Sequence, residues 1–316
     1  VKVRVEESAA VVNISRKPRK EQPMMQSAVS TPFVQAFVDG PTSSLTYVLH
    51  SGPGSACAII DPVLGYDGKS GRTNTASADR VATFVEANGL RVEWLLETHA
   101  HADHLSAAPC LKRRLGGRTG IGVRITEVQQ VFRRIFNLGA GFPTDGSQFD
   151  HLFGDGEVFR VGDLQVEVMA VPGHTPACVA YLAGDAAFLG DTLFMPDVGT
   201  ARTDFPGGDA AVLYRSIRRL LDLPPATRLF ACHDYPPPNG RALAYESTVA
   251  AQRAGNIHVN DGIDETRFVA LRRARDATLE MPVLLLPSVQ VNIRAGELPP
   301  REDNGIAYLK IPIDAI

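Results

Sequence analysis

Apolar residues recur along this chain with two periods. Residues 33–38, 45–50 and 56–60 form short apolar runs separated by turns of Gly, Pro and Ser, the pattern of an antiparallel meander. Residues 77–88 place Val81, Phe84 and Val85 on one side of a helical wheel, with Gly89 behind them, which predicts an amphipathic helix and its stop. A buried strand over 92–96 follows, and 97–104 read as the loop leaving it. The second half repeats this grammar, with strands at 157–160, 164–170, 179–182 and 187–189. A helix over 209–221 is closed by Pro224 and Pro225, and a strand follows over 227–231. Beyond Pro236 the pattern predicts helices near 243–254 and 265–279 and a strand over 288–293. Strands followed by helices, twice over, imply an α+β fold in which two sheets pack together with helices outside.

Composition narrows the function. The 316 residues suffice for one large domain or two modest ones. An apolar share of 44% and a charged share of 21% are ordinary for a globular enzyme. The net charge of −3 argues against a broad nucleic-acid surface. No run approaches the ~18 apolar residues of a membrane-spanning helix. Cys57, Cys110, Cys178 and Cys232 are far apart and form no CxxC pair, which excludes a zinc ribbon. A chain of this length builds a core without disulfides, so reduced thiols and a cytoplasmic location are expected. Residues 1–24 differ from the rest: Lys2, Arg4, Arg16, Lys17, Arg19 and Lys20 stand against Glu6, Glu7 and Glu21, with no apolar stretch of a secretory signal. They read as a disordered or appended extension ahead of Met24 or Met25. The organisation expected is 1–24 extension, 25–235 catalytic domain, and 236–316 a helical and strand-containing extension packed on it.

The candidate chemistry is concentrated in 98–104, where His99, His101, Asp103 and His104 put four potential ligands within six positions. Imidazole and carboxylate bind zinc and iron. Ala100 and Ala102 between them allow close approach. Three further candidates sit just past predicted strands: His174 after 164–170, Asp191 after 187–189 and His233 after 227–231. Gly173 and Gly190 permit sharp turns there. His or Asp at successive strand ends implies one shared site. The seven residues can be divided into two metal sites, with His99, His101 and His174 on one, Asp103, His104 and His233 on the other, and Asp191 between, an arrangement that activates water for hydrolysis. Alternatively, His99, His174 and Asp191 hold a single ion as two imidazoles and one carboxylate, leaving three positions open for oxygen chemistry. The spacing fits both. His50 and His151 read as structural. Arg202 faces a competing role as an ion pair with Asp204 or Asp209, and Tyr235 a competing role in the core.

The order HxHxDH (99–104), GHT (173–175), GDT (190–192) and HDY (233–235) resembles the metallo-β-lactamase superfamily, over about residues 33–235. The resemblance implies an αββα sandwich with a short C-terminal extension. Within the superfamily, THAHADH at 98–104, ARTDFPGGD at 201–209, CHDY at 232–235 and LPSVQVNIRAG at 286–296 are similar to the persulfide dioxygenases, in particular their bacterial β-lactamase-like hydrolase branch. That likeness implies one Fe(II) per chain on His99, His174 and Asp191, with His101, Asp103, His104, His233 and Asp234 as hydrogen-bond partners. It implies Arg202 and Tyr235 beside the sulfur substrate, oxidation of glutathione persulfide by O2 to sulfite and glutathione, and a homodimer. Two departures stand out. The turn before Arg202 reads Gly199-Thr200-Ala201, and Gly255-Asn256-Ile257-His258 replaces an Asn-Pro-Arg, so His258 is expected to take that arginine's place toward glutathione. The rival is a glyoxalase II-like hydroxyacylglutathione hydrolase with two zinc ions. Ala100, Ala102, Arg202 and the Cys232-His233-Asp234 sequence favour the dioxygenase. A non-catalytic binding protein on the same fold is disfavoured because all seven donors are present.

Overall fold

The computed structural model describes residues 31–236 and 240–314, so the expected extension at 1–24 lies outside the described residues. Strands β1 (Phe33–Asp39), β2 (Ser44–His50), β3 (Ala56–Ile60), β4 (Val63–Asp67) and β5 (Arg72–Asn74) lead into helix α1 (Ala76–Ala87). Strands β6 (Arg91–Leu96) and β7 (Leu105–Ser106) flank the ligand-rich loop. Helix α2 (Ala108–Leu115), β8 (Arg118–Gly122), α3 (Ile125–Ile135) and β9 (His151–Phe153) complete the first half. The second half runs β10 (Val158–Val161), β11 (Leu164–Ala170), β12 (Val179–Ala183), β13 (Ala186–Phe188), α4 (Ala210–Leu221) and β14 (Arg228–Phe230). Then come β15 (Glu246–Thr248), α5 (Val249–Gly255), α6 (Glu265–Asp276) and α7 (Leu285–Asn292).

Two six-stranded sheets result, in the orders β1-β2-β3-β6-β8-β9 and β10-β11-β12-β13-β14-β15, with a small third sheet β5-β4-β7. The meander β1-β2-β3 is antiparallel as the pattern predicts. Strands β3, β6, β8 and β9 run parallel. Side chains alternate across each strand. Leu45, Tyr47 and Leu49 of β2 therefore enter the layer between the sheets, and Val48 enters the layer under α1 and α2. Val166, Val168, Tyr181, Phe188 and Phe230 meet the first set from the second sheet. Outside, α4 and α6 cover the second sheet, while α3 and α7 share a further apolar cluster with the loop carrying Ala100 and Ala102. This is an αββα sandwich. Among the described residues no helix is long and apolar enough to cross a membrane.

Phe230 stacks on Phe188 with centroids 5.1 Å apart, and Tyr47 packs edge-on against Phe230. Phe230→Ala should cost about 3–5 kcal/mol, since the sheets cannot close on the lost ring. A urea midpoint unchanged from the parent would contradict this role.

Two expectations for the tail are corrected. Residues 288–293 are not a strand but belong mostly to α7, whose Ser288 to Asn292 are all buried. The segment over 243–254 is not one helix. Its first part pairs with β14 as β15, and Thr248 then caps α5 by accepting a hydrogen bond from Ala251 N. Helices α2 and α3 and strands β4, β5 and β7 to β9 have no counterpart among the elements that the apolar pattern predicts.

Candidate metal centre

The site lies where the loops leaving β6, β11, β13 and β14 converge at one edge of the sandwich. His99, His101 and His104 are buried on the loop after β6, and His174 and His233 are buried on their own turns. Gly190 adopts a left-handed backbone (φ 53°), and a Cβ there would sit 2.4 Å from Thr98 Oγ1, so only glycine lets the Asp191 turn rest on the Thr98–His99 turn. His99, His174 and Asp191 place donor atoms within 4.8 Å of one another. His174 Nε2 is 3.7 Å and His99 Nε2 4.0 Å from Asp191 Oδ2. His233 Nε2 lies 3.4 Å from Asp191 Oδ1 and 3.3 Å from Asp103 Oδ2.

Hydrogen bonds assign the imidazole protons. Thr98 Oγ1 donates to Asp61 Oδ2 (2.9 Å) and therefore accepts from His99 Nδ1 (3.1 Å). His101 Nε2 donates to Asp61 Oδ1 (3.0 Å), and His104 Nδ1 donates to Asp103 Oδ2 (2.9 Å). His174 Nδ1 donates to the carbonyl of Arg202 (2.8 Å), and His233 Nδ1 to that of Ser43 (3.1 Å). Each ring thus spends one N–H on the protein and keeps the other nitrogen's lone pair for the site, as metal-binding histidines do. His99 Nε2, His101 Nδ1, His104 Nε2, His233 Nε2 and Asp191 Oδ1 are all buried without a hydrogen-bond partner. Unpaired buried polar atoms are costly and rare. Their gathering in one place is explained by a cation, and the imidazole and carboxylate donor set fits iron or zinc.

The electrostatics agree. Burial, with His101 and His174 beside it, holds the His99 imidazole well below its ordinary value. Burial also opposes charge on His101 and His233, but carboxylates override it and raise both: Asp61 beside His101, and Asp103 and Asp191 beside His233. Carboxylates that draw protons to these rings would draw a cation equally well.

The outer supports were only partly visible in the sequence. Asp61 is 2% exposed and also accepts from Thr98 N at 2.7 Å, so it holds both Thr98 and His101. Ser44 Oγ donates to Asp103 Oδ2 (2.8 Å). Asn292 of α7 donates from Nδ2 to the carbonyls of His101 (2.9 Å) and His104 (2.8 Å) and accepts from Ser106 N (2.8 Å). Arg272 is fully buried against Asp276 (2.7 Å) and Thr200 O (3.0 Å), and Asp276 accepts from Thr203 N (3.0 Å). This pair braces the 200–203 segment that carries the carbonyl under His174.

A cavity of about 750 Å³ opens onto the donors. Arg202 lines it, although its guanidinium is engaged by Asp204 (2.6 Å) and the Glu280 carbonyl (2.7 Å), so the competing ion pair is formed. Tyr235, 49% exposed, stacks on His233 and lies edge-on to Phe194 at the cavity wall rather than in the core. His258 lines the cavity but is not a cationic substitute for arginine. Burial, then the nearby Arg272 and Arg275, lower its pKa to about 4, and its Nδ1 accepts from Thr200 N (3.0 Å). Positive charge on that wall comes instead from exposed Arg275, since Arg272 is neutralised by Asp276. Asp234 does not join the donors; it pairs with Arg241 (2.6 Å) and accepts from Ala244 N (2.7 Å). His50 stacks on Phe33 and His151 pairs with Glu157 (2.6 Å), both away from the site. Burial pushes the Cys57 and Cys178 thiols up to about 12, which makes them poor nucleophiles.

Known proteins repeat this architecture. The profile described as "Metallo-beta-lactamase superfamily" matches residues 39–233. A probable metallo-hydrolase of Burkholderia pseudomallei is 59% identical, covering 90% of this chain and 99% of its own. Glyoxylase B2 of Dictyostelium discoideum is 53% identical over 82% of this chain and 89% of its own. The mitochondrial persulfide dioxygenase ETHE1 of Homo sapiens is 30% identical over 80% and 84%. The crystal structure of ETHE1 from Myxococcus xanthus superposes with a TM-score of 0.67 and 28% identity, covering 84% of this chain and all of that one. The chain belongs to the metallo-β-lactamase superfamily.

Proposed function

We propose that this protein is an iron-dependent persulfide dioxygenase that converts glutathione persulfide, O2 and water to glutathione and sulfite, with release of two protons. The terminal sulfur gives up four electrons, O2 accepts them, and water provides the third sulfite oxygen. The observation that carries this reading is an open triad beside a carboxylate, Asp103, that is already engaged. His99, His174 and Asp191 turn their donor atoms toward one another. Asp103, by contrast, already takes the Ser44 hydroxyl and His104 Nδ1 on one oxygen. Two imidazoles and a carboxylate leave open positions of the kind that oxygen-activating iron uses. A ferrous ion held there supplies the redox partner and the sites at which sulfur and O2 meet.

The chain's own residues bind and orient. Exposed Arg275 offers positive charge to the carboxylates of a glutathione moiety, and neutral His258 offers a hydrogen bond. Arg202 and Tyr235 line the same cavity and are the residues assigned to position the sulfur end. Buried Ala102 and Phe205 keep water from the side of His174. The likeness to the human persulfide dioxygenase supports the reaction, and the likeness to Glyoxylase B2 supports a glutathione conjugate as substrate.

A two-zinc thioester hydrolase is the second reading, favoured by the bare Nε2 atoms of His104 and His233. Metal analysis with an oxygen electrode separates the two. The proposal expects about one iron per chain and O2 uptake with glutathione persulfide. Two zinc ions per chain and hydrolysis of lactoylglutathione without O2 uptake would establish the hydrolase.

A further inference from the structure

We infer that a dry apolar pocket behind His174 holds dioxygen next to the metal centre, an inference that rests on the dioxygenase reading above. The pocket is separate from the substrate cavity and leaves about 20 Å³ free. That is room for one small molecule, since a water needs roughly 10–15 Å³. Its walls include Ala100, Ala102, Val128, Phe132, Leu285 and Val289. Ala102, His174 and Phe205 line both this pocket and the substrate cavity, so a thin partition divides the two.

The polar side chains at its edge are already satisfied. His174 Nδ1 donates to Arg202 O. Thr175 Oγ1 accepts from Ala177 N (3.3 Å) and contacts Cys178 Sγ (3.1 Å). A buried water needs two to four polar partners, and an apolar hollow without them stays dry. An uncharged, apolar diatomic needs none and gains dispersion contacts from the carbon walls. The two alanines make the hollow: a larger side chain at either position would occupy it. Substrate and O2 would then reach the triad from opposite sides of His174, the persulfide through the open cavity and O2 through the partition. A bound persulfide would not block the second reactant.

The test uses paramagnetic relaxation in the methyl-labelled holoenzyme without persulfide, compared under O2 and under N2. Methyls of Val128, Leu285 and Val289 should show excess relaxation under O2 over equally buried methyls between the sheets, such as Leu49 and Val166. Val289→Leu adds a methylene that fills the hollow. It should remove the excess and raise the KM for O2 about tenfold while leaving the KM for persulfide unchanged, a loss well inside the ceiling for a two-atom ligand. Val289→Ala, which enlarges the hollow, should increase the excess, and this guards against misfolding of the leucine variant. Uniform relaxation of all buried methyls, with O2 uptake intact, overturns the pocket alone. Absence of O2 uptake by the iron-loaded protein overturns the dioxygenase reading, and with it any delivery role.

Discussion

Asp191→Ala should strip the metal and lower turnover by about 10³-fold or more, equivalent to about 4 kcal/mol of transition-state stabilisation. Asp191 is the single carboxylate of the triad and lies within 4.0 Å of His99, His174 and His233 alike. Without it, His99 and His174 face one another with no carboxylate between them to complete the triad. Elemental analysis and O2 uptake read the loss, and an unchanged melting temperature would show that the fold survives. Stoichiometric metal in the alanine variant would remove Asp191 from the ligand set.

Asp61→Asn should weaken metal binding by about 10- to 100-fold, although Asp61 itself need not touch the metal. The substitution keeps shape but replaces one acceptor oxygen with an NH2 donor. If Oδ1 still accepts from Thr98 N and His101 Nε2, the new amide faces Thr98 Oγ1, which must now accept. The threonine proton then turns toward His99 Nδ1. That nitrogen must become the bare one, and the ring proton moves to Nε2, the atom that faces Asp191. A metal-chelator competition gives the affinity, and nitrogen chemical shifts of His99 in the metal-free protein give the tautomer. Asparagine with parental affinity and an unchanged tautomer would contradict the argument.

The sequence made the donors legible because one signal repeats: an apolar run, then a turn bearing His or Asp. Asp61 obeys the same rule, directly after β3, so the signal for it was present. Ser44, Arg272 and Asn292 carry no such mark. They reach the site from distant parts of the chain, and only tertiary packing brings them there. Helix α7 carries a strand-like pattern for a different reason. Val289, Val291 and Ile293 alternate like a strand, and because the helix is buried on nearly every side it lacks the polar face that reveals helical period. The Arg202 carbonyl under His174 was invisible because a backbone atom leaves no trace in residue identity.

The clamp made by Asn292 has a consequence for how this chain can be cut and rejoined. The superfamily match stops at residue 233, yet two carbonyls of the loop bearing four of the seven donors depend on a side chain nearly sixty positions later. A chimaera that kept 39–233 and took its tail from a distant relative would inherit every ligand and still lose the latch that fixes their loop. The unit of inheritance for this metal centre is therefore longer than the stretch that the superfamily profile matches.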